Sequence, residues 1–251
     1  MRIAVAGGTG RVGRHVVEVL QRSGHDAVAL SRSTGVDVVT GEGLADALKG
    51  VECIIDAATG PSPDKDEATA FFTAAVRNMQ RAGEQAGVRL AVLVSIIGVD
   101  ELTTSYGAAK RDQEEAWLAG PVPVRILRSD LFHEFVGPMM QWGRQGDVVY
   151  LPNMRRQPVA ARNVAETIAD LATADESRSM VEVAGPQVES LVDLGVMLAA
   201  RHGDPVRVEG VSTPDDPDSV LYEAGRLLPG PAAVIAGPTF AEWLETEGET
   251  S

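Results

Sequence analysis

Tyr106 and Lys110 stand four residues apart in the stretch SYGAAK. On a helix that spacing puts them one turn apart on the same face. A phenol is a weak acid at neutral pH, with an unperturbed pKa of about 10. An ammonium beside it stabilises the phenolate and brings the group toward operating pH. Such a pair can deliver a proton to an oxygen that gains negative charge during a reaction. It can equally be two surface residues at helical spacing. The elements that carry the pair decide between these readings.

A second cluster with chemical content is IAVAGGTGRVGRH, where Gly7, Gly10 and Gly13 form GxxGxxG between an apolar run and a helical pattern. A tight strand-to-helix turn needs a residue that tolerates positive φ. A pyrophosphate needs close approach to bare N–H groups at a helix N-terminus, and close helix–strand packing needs the third glycine. A second strand follows about twenty residues on, which completes the context of a dinucleotide site. Gly7, Thr9, Gly10, Arg11, Val12 and Gly13 are the expected contacts. The second strand ends in Ser31-Arg32-Ser33, with no Asp or Glu to take a ribose 2′-hydroxyl. A guanidinium flanked by two hydroxyls suits a 2′-phosphate through charge-assisted hydrogen bonds. Arg11 adds a second positive charge. NADP(H) is therefore expected in preference to NAD(H).

Apolar runs at 2–6, 26–30, 52–57, 89–95 and 122–127 alternate with helical patterns at 11–23, 44–49, 67–86 and 105–118. The first helix keeps Val12, Val16, Val17 and Leu20 on one face. The strands are apolar throughout and do not alternate, as in a parallel sheet covered on both faces. This predicts an α/β fold, a doubly wound parallel sheet of Rossmann type, with Tyr106 and Lys110 at the sheet's C-terminal edge where ligands bind. After Ser129 the rhythm loosens. LFHEFVGPMMQWG reads as an amphipathic helix, GDVVYLP and MVEVAG as strands, and RNVAETIADLATAD, LVDLGVMLAARHG and FAEWLETE as helices. Residues 211–219, with two prolines, read as a loop. The expectation is a single domain over 1–251, with a dinucleotide-binding core at 1–130. Residues 131–251 complete the sheet and form a small substrate-binding lobe.

The net charge of −14 opposes sequence-independent binding to nucleic acid or to an anionic membrane. Cys53 is the one cysteine, so an internal disulfide is excluded, and its apolar neighbours predict burial. No charged leader with an apolar segment stands at the N-terminus and no apolar run approaches about 18 residues. The expectation is a soluble cytoplasmic chain, monomer or homodimer, acting on a small molecule. His133-Glu134 has Gly137 where an HExxH zinc motif needs histidine, so no metal site is expected. There is no Gly-x-Ser-x-Gly elbow and no Gly-Lys-Ser/Thr phosphate loop. Trp117, Trp142, Phe132, Phe135 and Met139–Met140 are expected in the core.

Together, the glycine loop, the Ser-Arg pair and the Tyr-to-Lys spacing resemble the short-chain dehydrogenase/reductase superfamily, and in particular its atypical, NmrA-like NAD(P)-binding branch. GGTGRVGRHVV, ALKGVECIIDAA, RAGEQAGVRLAVLVSIIGVD, YGAAKRDQEEAW, VRILRSDLFHEFV and QPVAARNVAE carry the resemblance over nearly the whole chain. It implies that Tyr106 gives a proton to a carbonyl oxygen. Lys110 would lower the tyrosine's pKa and hold the nicotinamide ribose. Ser95, after the fourth strand, would hold the substrate oxygen, although relatives often have two serines there and Ile96 is apolar. Ala57, Ala58 and Thr59 would line the cofactor, and Asn78 takes a helical position where the superfamily often keeps asparagine. Arg128 to Leu131 would lie near the nicotinamide, and Ser129, Phe132 and His133 form the expected substrate pocket. The implied activity is an NADP(H)-dependent oxidoreductase transferring hydride between NADPH and a small or medium carbonyl, quinone or enone. A non-catalytic NADP(H) sensor and an NADP-using isomerase or epimerase are the alternatives.

Overall fold

A computed structural model describes residues 1–60, 62–175 and 178–247. The apolar runs form strands β1 (Arg2–Ala6), β2 (Asp26–Leu30), β3 (Cys53–Asp56), β4 (Leu90–Ile96) and β5 (Val124–Ser129). The helices between them are α1 (Gly13–Arg22), α2 (Leu44–Ala47), α3 (Lys65–Ala86) and α4 (Ser105–Leu118). Helix α3 starts two residues earlier than its apolar pattern because Asp64 caps it, accepting from the backbone of Asp66 and Glu67 at 2.9 and 3.1 Å. The rest of the chain forms β6 (Arg144–Gln145), β7 (Val148–Pro152), β8 (Arg155–Arg156), β9 (Met180–Ala184), β10 (Glu189–Ser190), β11 (Arg207–Val211) and β12 (Val234–Ile235). Its helices are α5 (Val136–Gly143), α6 (Ala161–Thr173), α7 (Leu191–His202), α8 (Pro217–Glu223) and α9 (Phe240–Glu247).

The main sheet has seven strands in the order β12-β9-β5-β4-β3-β1-β2. β1 pairs in parallel with β2 and β3, β3 with β4, and β9 with β12. The α/β expectation holds, with a mostly parallel sheet flanked by helices. None of the described helices is long and apolar enough to cross a membrane.

The chain divides into two compact units, residues 1–128 with 164–181, and residues 129–163 with 182–251. In the first, Ala4, Leu30, Ile54, Met79, Leu93, Trp117 and Ile126 share one buried cluster. In the second, Val136, Met140, Val149, Leu151, Leu194, Leu198 and Phe240 form another. The three-stranded sheet β11-β7-β6 and the β10-β8 pair complete the second unit.

Two expectations change here. Trp142 does not enter the core: it is 65% exposed and packs edge-to-face with Phe135, because the last turn of the short helix α5 carries it outward. The 211–219 segment is not all loop, since Asp216 caps α8 and accepts from the backbone of Asp218, with Pro217 at the first helical position. A proline there starts a helix; it does not break one.

β5 is tied to α4 by a guanidinium clamp. Arg128 reaches Glu114 through Nε at 3.0 Å and Nη2 at 2.7 Å, and Asp100 at 2.5 and 2.9 Å. Glu114 has a side chain 5% exposed, whereas Asp100 is 70% exposed. Burial works against the Arg128 charge, but the hydrogen bonds it donates to Glu114 and Asp100 outweigh that and hold the pKa above its ordinary value. Removing a partner of a buried ion pair strands the other charge, whereas an exposed partner is replaced by water. Glu114→Ala should cost about 3 kcal/mol of unfolding free energy and Asp100→Ala about 0.5 kcal/mol. Urea unfolding measures both, and equal losses would show that burial does not set the clamp's strength.

Candidate active site

The glycine loop opens directly from β1. Gly7 has φ of +72°, and a Cβ built on it would lie 2.6 Å from the Ala57 carbonyl oxygen. A Cβ on Gly13 would lie 2.1 Å from the Gly7 carbonyl oxygen, so the third glycine lets the first turn of α1 seat on the loop. No side chain caps α1, and the backbone amides of Thr9 and Val12 donate to no group among the described residues. Gly7, Thr9, Gly10, Arg11, Val12 and Gly13 thus form a turn that is exposed at Thr9, Gly10 and Arg11 and buried at Val12 and Gly13, and it ends at a helix N-terminus without a side-chain cap, the chemistry a pyrophosphate needs.

At the end of β2 the Ser31 and Ser33 hydroxyls are 2.8 Å apart, and the Ser31 amide donates to Thr34 Oγ1 at 3.0 Å. Arg32 begins a single 3-10 turn and is exposed. Its guanidinium has no hydrogen bond or ion pair among the described residues.

Tyr106 lies on the first turn of α4, and its hydroxyl is 3.1 Å from Thr59 Oγ1, three residues past the end of β3. Phe72 meets its ring edge-on at 5.7 Å. The loop and the phenol are thereby joined through residues 57–59: Gly7 packs on Ala57, and Thr59 holds Tyr106. Lys110 is 4% exposed. Its Nζ donates to the Val94 carbonyl at 2.7 Å and to Gln113 Oε1 at 2.5 Å, and lies 4.9 Å from the Phe72 ring centre. Gln113 Nε2 in turn donates to Asp56 Oδ2 at 2.9 Å, which also accepts from Trp117 Nε1 at 2.8 Å.

Burial governs the protonation of this group. It pushes the Tyr106 phenol above its ordinary value, Thr59 opposes that, and the Asp56 charge adds to it. Burial pushes Lys110 down to about 8 against the pull of Asp56 and Glu114. It raises the Asp56 carboxyl, against the hydrogen bond from Trp117 and the charge of Lys110. The resemblance to short-chain dehydrogenases/reductases implies that Lys110 lowers the tyrosine's pKa. The structure differs, because the ammonium is turned toward Val94 and Gln113 and the phenol toward Thr59.

Ser95 is buried within β4, one residue before its end. Asn78 donates to the carbonyls of Val38 and Val39 at 3.1 and 2.6 Å, pinning the segment after β2. The remaining expected residues fall in the second unit. Ser129 ends β5 and is buried, and Phe132 bridges to Val159. His133 is buried, with Nε2 3.2 Å from the Pro238 carbonyl and its ring against Phe240 and Trp243. In the same unit Asp130 Oδ1 accepts from Arg156 Nε at 2.8 Å. Among the described residues no group of three or more His, Cys, Asp or Glu could hold a metal.

Sequence reasoning misses the part played by Asp56 and Gln113: DQEEAW, residues 112–117, reads as a solvated helix face, yet Gln113 and Glu114 are buried where α4 meets Asp56 and Arg128. The available signals were a carboxylate inside the apolar run CIIDAA and a glutamine three residues after Lys110 on the same helical face.

Comparison with known proteins places these features. The NAD(P)H-binding family profile matches residues 7–175. The photosystem II assembly factor Ycf39 of a Synechocystis strain is 32% identical over 115 residues, covering 40% of this chain and 35% of that protein's length. Among solved structures, MoeE5 in complex with UDP-glucose and NAD is similar over 100% of both chains, with a TM-score of 0.74 and 19% identity. The Escherichia coli NADPH-dependent quinone oxidoreductase QOR2, complexed with NADPH, is similar over 98% of this chain and 99% of its own (TM-score 0.73, 18% identity). A dTDP-4-dehydrorhamnose reductase from Bacillus anthracis in complex with NADP gives a TM-score of 0.71 at 18% identity over 100% and 99%. At these identities the structural likeness is one of fold.

The buried imidazole of His133 makes a separate prediction. Burial pushes its pKa from 6.5 to about 4, against the Pro238 carbonyl contact. As pH falls below 6.5 the unfolded chain takes up a proton that the folded chain refuses until about 4, so stability drops across that window. Urea midpoints taken from pH 7 to 4 should fall less steeply in His133→Gln than in the wild type. Parallel acid limbs would remove His133 from the acid response.

Proposed function

The chain belongs to the NAD(P)H-binding family, and from that premise we propose that it is an NADP(H)-dependent oxidoreductase of the NmrA-like short-chain dehydrogenase/reductase type. Its substrate is a small or medium carbonyl, quinone or enone. The observation that carries this reading is the continuity from Gly7 through Ala57 and Thr59 to the Tyr106 hydroxyl, which brings phosphate loop and phenol to the same ends of β1 and β3. NADPH, when bound, supplies the hydride. The chain's own residues do the rest: the loop amides and α1 N-terminus hold the pyrophosphate, and Arg32 with Ser31 and Ser33 takes the 2′-phosphate. Lys110 holds the ribose. Tyr106, a phenol protonated at neutral pH and moved further upward by its burial, gives its proton to the substrate oxygen.

A specific observation favours a second reading, a non-catalytic NADP(H) sensor. The phenol is raised and not lowered, and Ser95 sits inside β4 with Ile96 and Ile97 behind it. The partial likeness to an assembly factor agrees with that reading.

Fluorescence titration should show NADPH affinity falling about tenfold in Arg32→Ala, with NADH affinity unchanged. An unchanged ratio of the two would refute the 2′-phosphate assignment. Tyr106→Phe should lower turnover at least about a hundredfold while leaving NADPH binding intact. A wild type that binds NADPH but never oxidises it across a carbonyl and quinone panel would be the sensor.

A further inference from the structure

We propose that Asp56 is the positioning residue for Lys110, acting through the side-chain amide of Gln113. The inference deepens the reading of Lys110 as the group that holds the cofactor ribose, and rests on it. Asp56 is the last residue of β3 and is 1% exposed. One carboxylate oxygen accepts from Gln113 and Trp117 at 2.9 and 2.8 Å, and the other from the Ala58 amide at 3.2 Å. An ionised carboxylate can only accept, so Gln113 must turn its NH2 toward Asp56. That orientation leaves its carbonyl oxygen facing the Lys110 ammonium at 2.5 Å. With Asp56 neutral and able to donate, the amide could reverse and present NH2 to an ammonium, which cannot accept.

Lys110, Gln113 and Trp117 are three and seven residues apart, hence on one face of α4. The charged groups around Lys110 are Asp56 from β3 and Glu114 from its own helix. From α3 it meets the neutral Phe72 ring, and Tyr106 stands one turn back. Glu114 is already engaged by Arg128. Among the described residues Asp56 has no arginine partner, so it is the anion left to balance Lys110. Burial lowers Lys110 to about 8, and the charge of Asp56 opposes that fall more than any other group.

The chain has three lysines, Lys49, Lys65 and Lys110, so protein labelled with 13Cε-lysine gives few signals. Lys110→Arg identifies the one of interest. NMR titration of the full chain should place the Lys110 midpoint lower in Asp56→Asn than in the wild type by about one pH unit or more. Asp56→Glu, which keeps the charge, should restore most of it. If Asp56→Asn does not fold, Gln113→Met carries the test: losing the acceptor should also lower the midpoint, with NADPH affinity falling about tenfold. A Lys110 midpoint unmoved in whichever of these variants folds overturns the proposal and leaves Asp56 as a staple between β3 and α4. The midpoint needs no turnover. If wild-type protein fails to bind NADPH, the cofactor reading falls, while the shift still decides what Asp56 does to Lys110.

Discussion

A carboxylate buried at the end of β3 is the constraint on which the rest of the site depends. Asp56 takes three N–H donors, two of them from the second half of α4. Removing a carboxylate from water is costly, and three donors together with a nearby ammonium offset much of that cost. The result is directional. Trp117 and Gln113 fix the rotation of α4 about its own axis, and that rotation sets where Tyr106 and Lys110 point. A purely apolar contact between helix and strand would hold α4 against the sheet without selecting the rotation so sharply. The Arg128 clamp does comparable work through Glu114, the next residue after Gln113 on the helix.

One environment moves phenol and ammonium in ways that bare spacing does not suggest. Loss of water raises the acid and lowers the base, since in each case it penalises the charged form. At neutral pH Tyr106 therefore keeps its proton, and Lys110 keeps its charge with the help of Asp56. The pair is poised as a filled donor beside a buried cation, with each group held by a partner other than its neighbour on the helix. Thr59 holds the phenol, and Gln113 with the Val94 carbonyl holds the ammonium.

How far the sequence revealed this depended on whether the deciding contact was local. β1 and β2 match their apolar runs residue for residue, because uniform runs bounded by turns leave little freedom. α4 and α9 are likewise found at 105–118 and 240–247, as their patterns indicate. β11 was not visible, since RVEGV carries two charges and a glycine among its valines. The start of α8 reads as a loop in the sequence because Asp and Pro mark both turns and helix entries. Within the site, the glycine loop and the helical placement of Tyr106 and Lys110 were legible. The direction of the Lys110 ammonium was not: helical spacing assigns a face but no rotamer. Asp56 was hidden because its partners lie 57 and 61 residues away in the chain. Asn78 shows the converse, since its position fits a family habit while its amide serves Val38 and Val39.

Neither compact unit is a single run of chain, because residues 164–181 return to the first after 129–163 have entered the second. α6 belongs to that returning segment, and Arg125 donates to the carbonyls of Leu171 and Ala174 at its C-terminal end at 2.6 and 2.9 Å. During synthesis the residues of the glycine loop and α4 leave the ribosome well before α6 exists. The first unit must therefore wait, incomplete, while 35 residues of the second are made. The segment that closes it is the last of its pieces to be made, and contacts of large sequence separation are the slowest to be won from an open chain. The dinucleotide half of this protein is thus first to begin folding without being free to finish first.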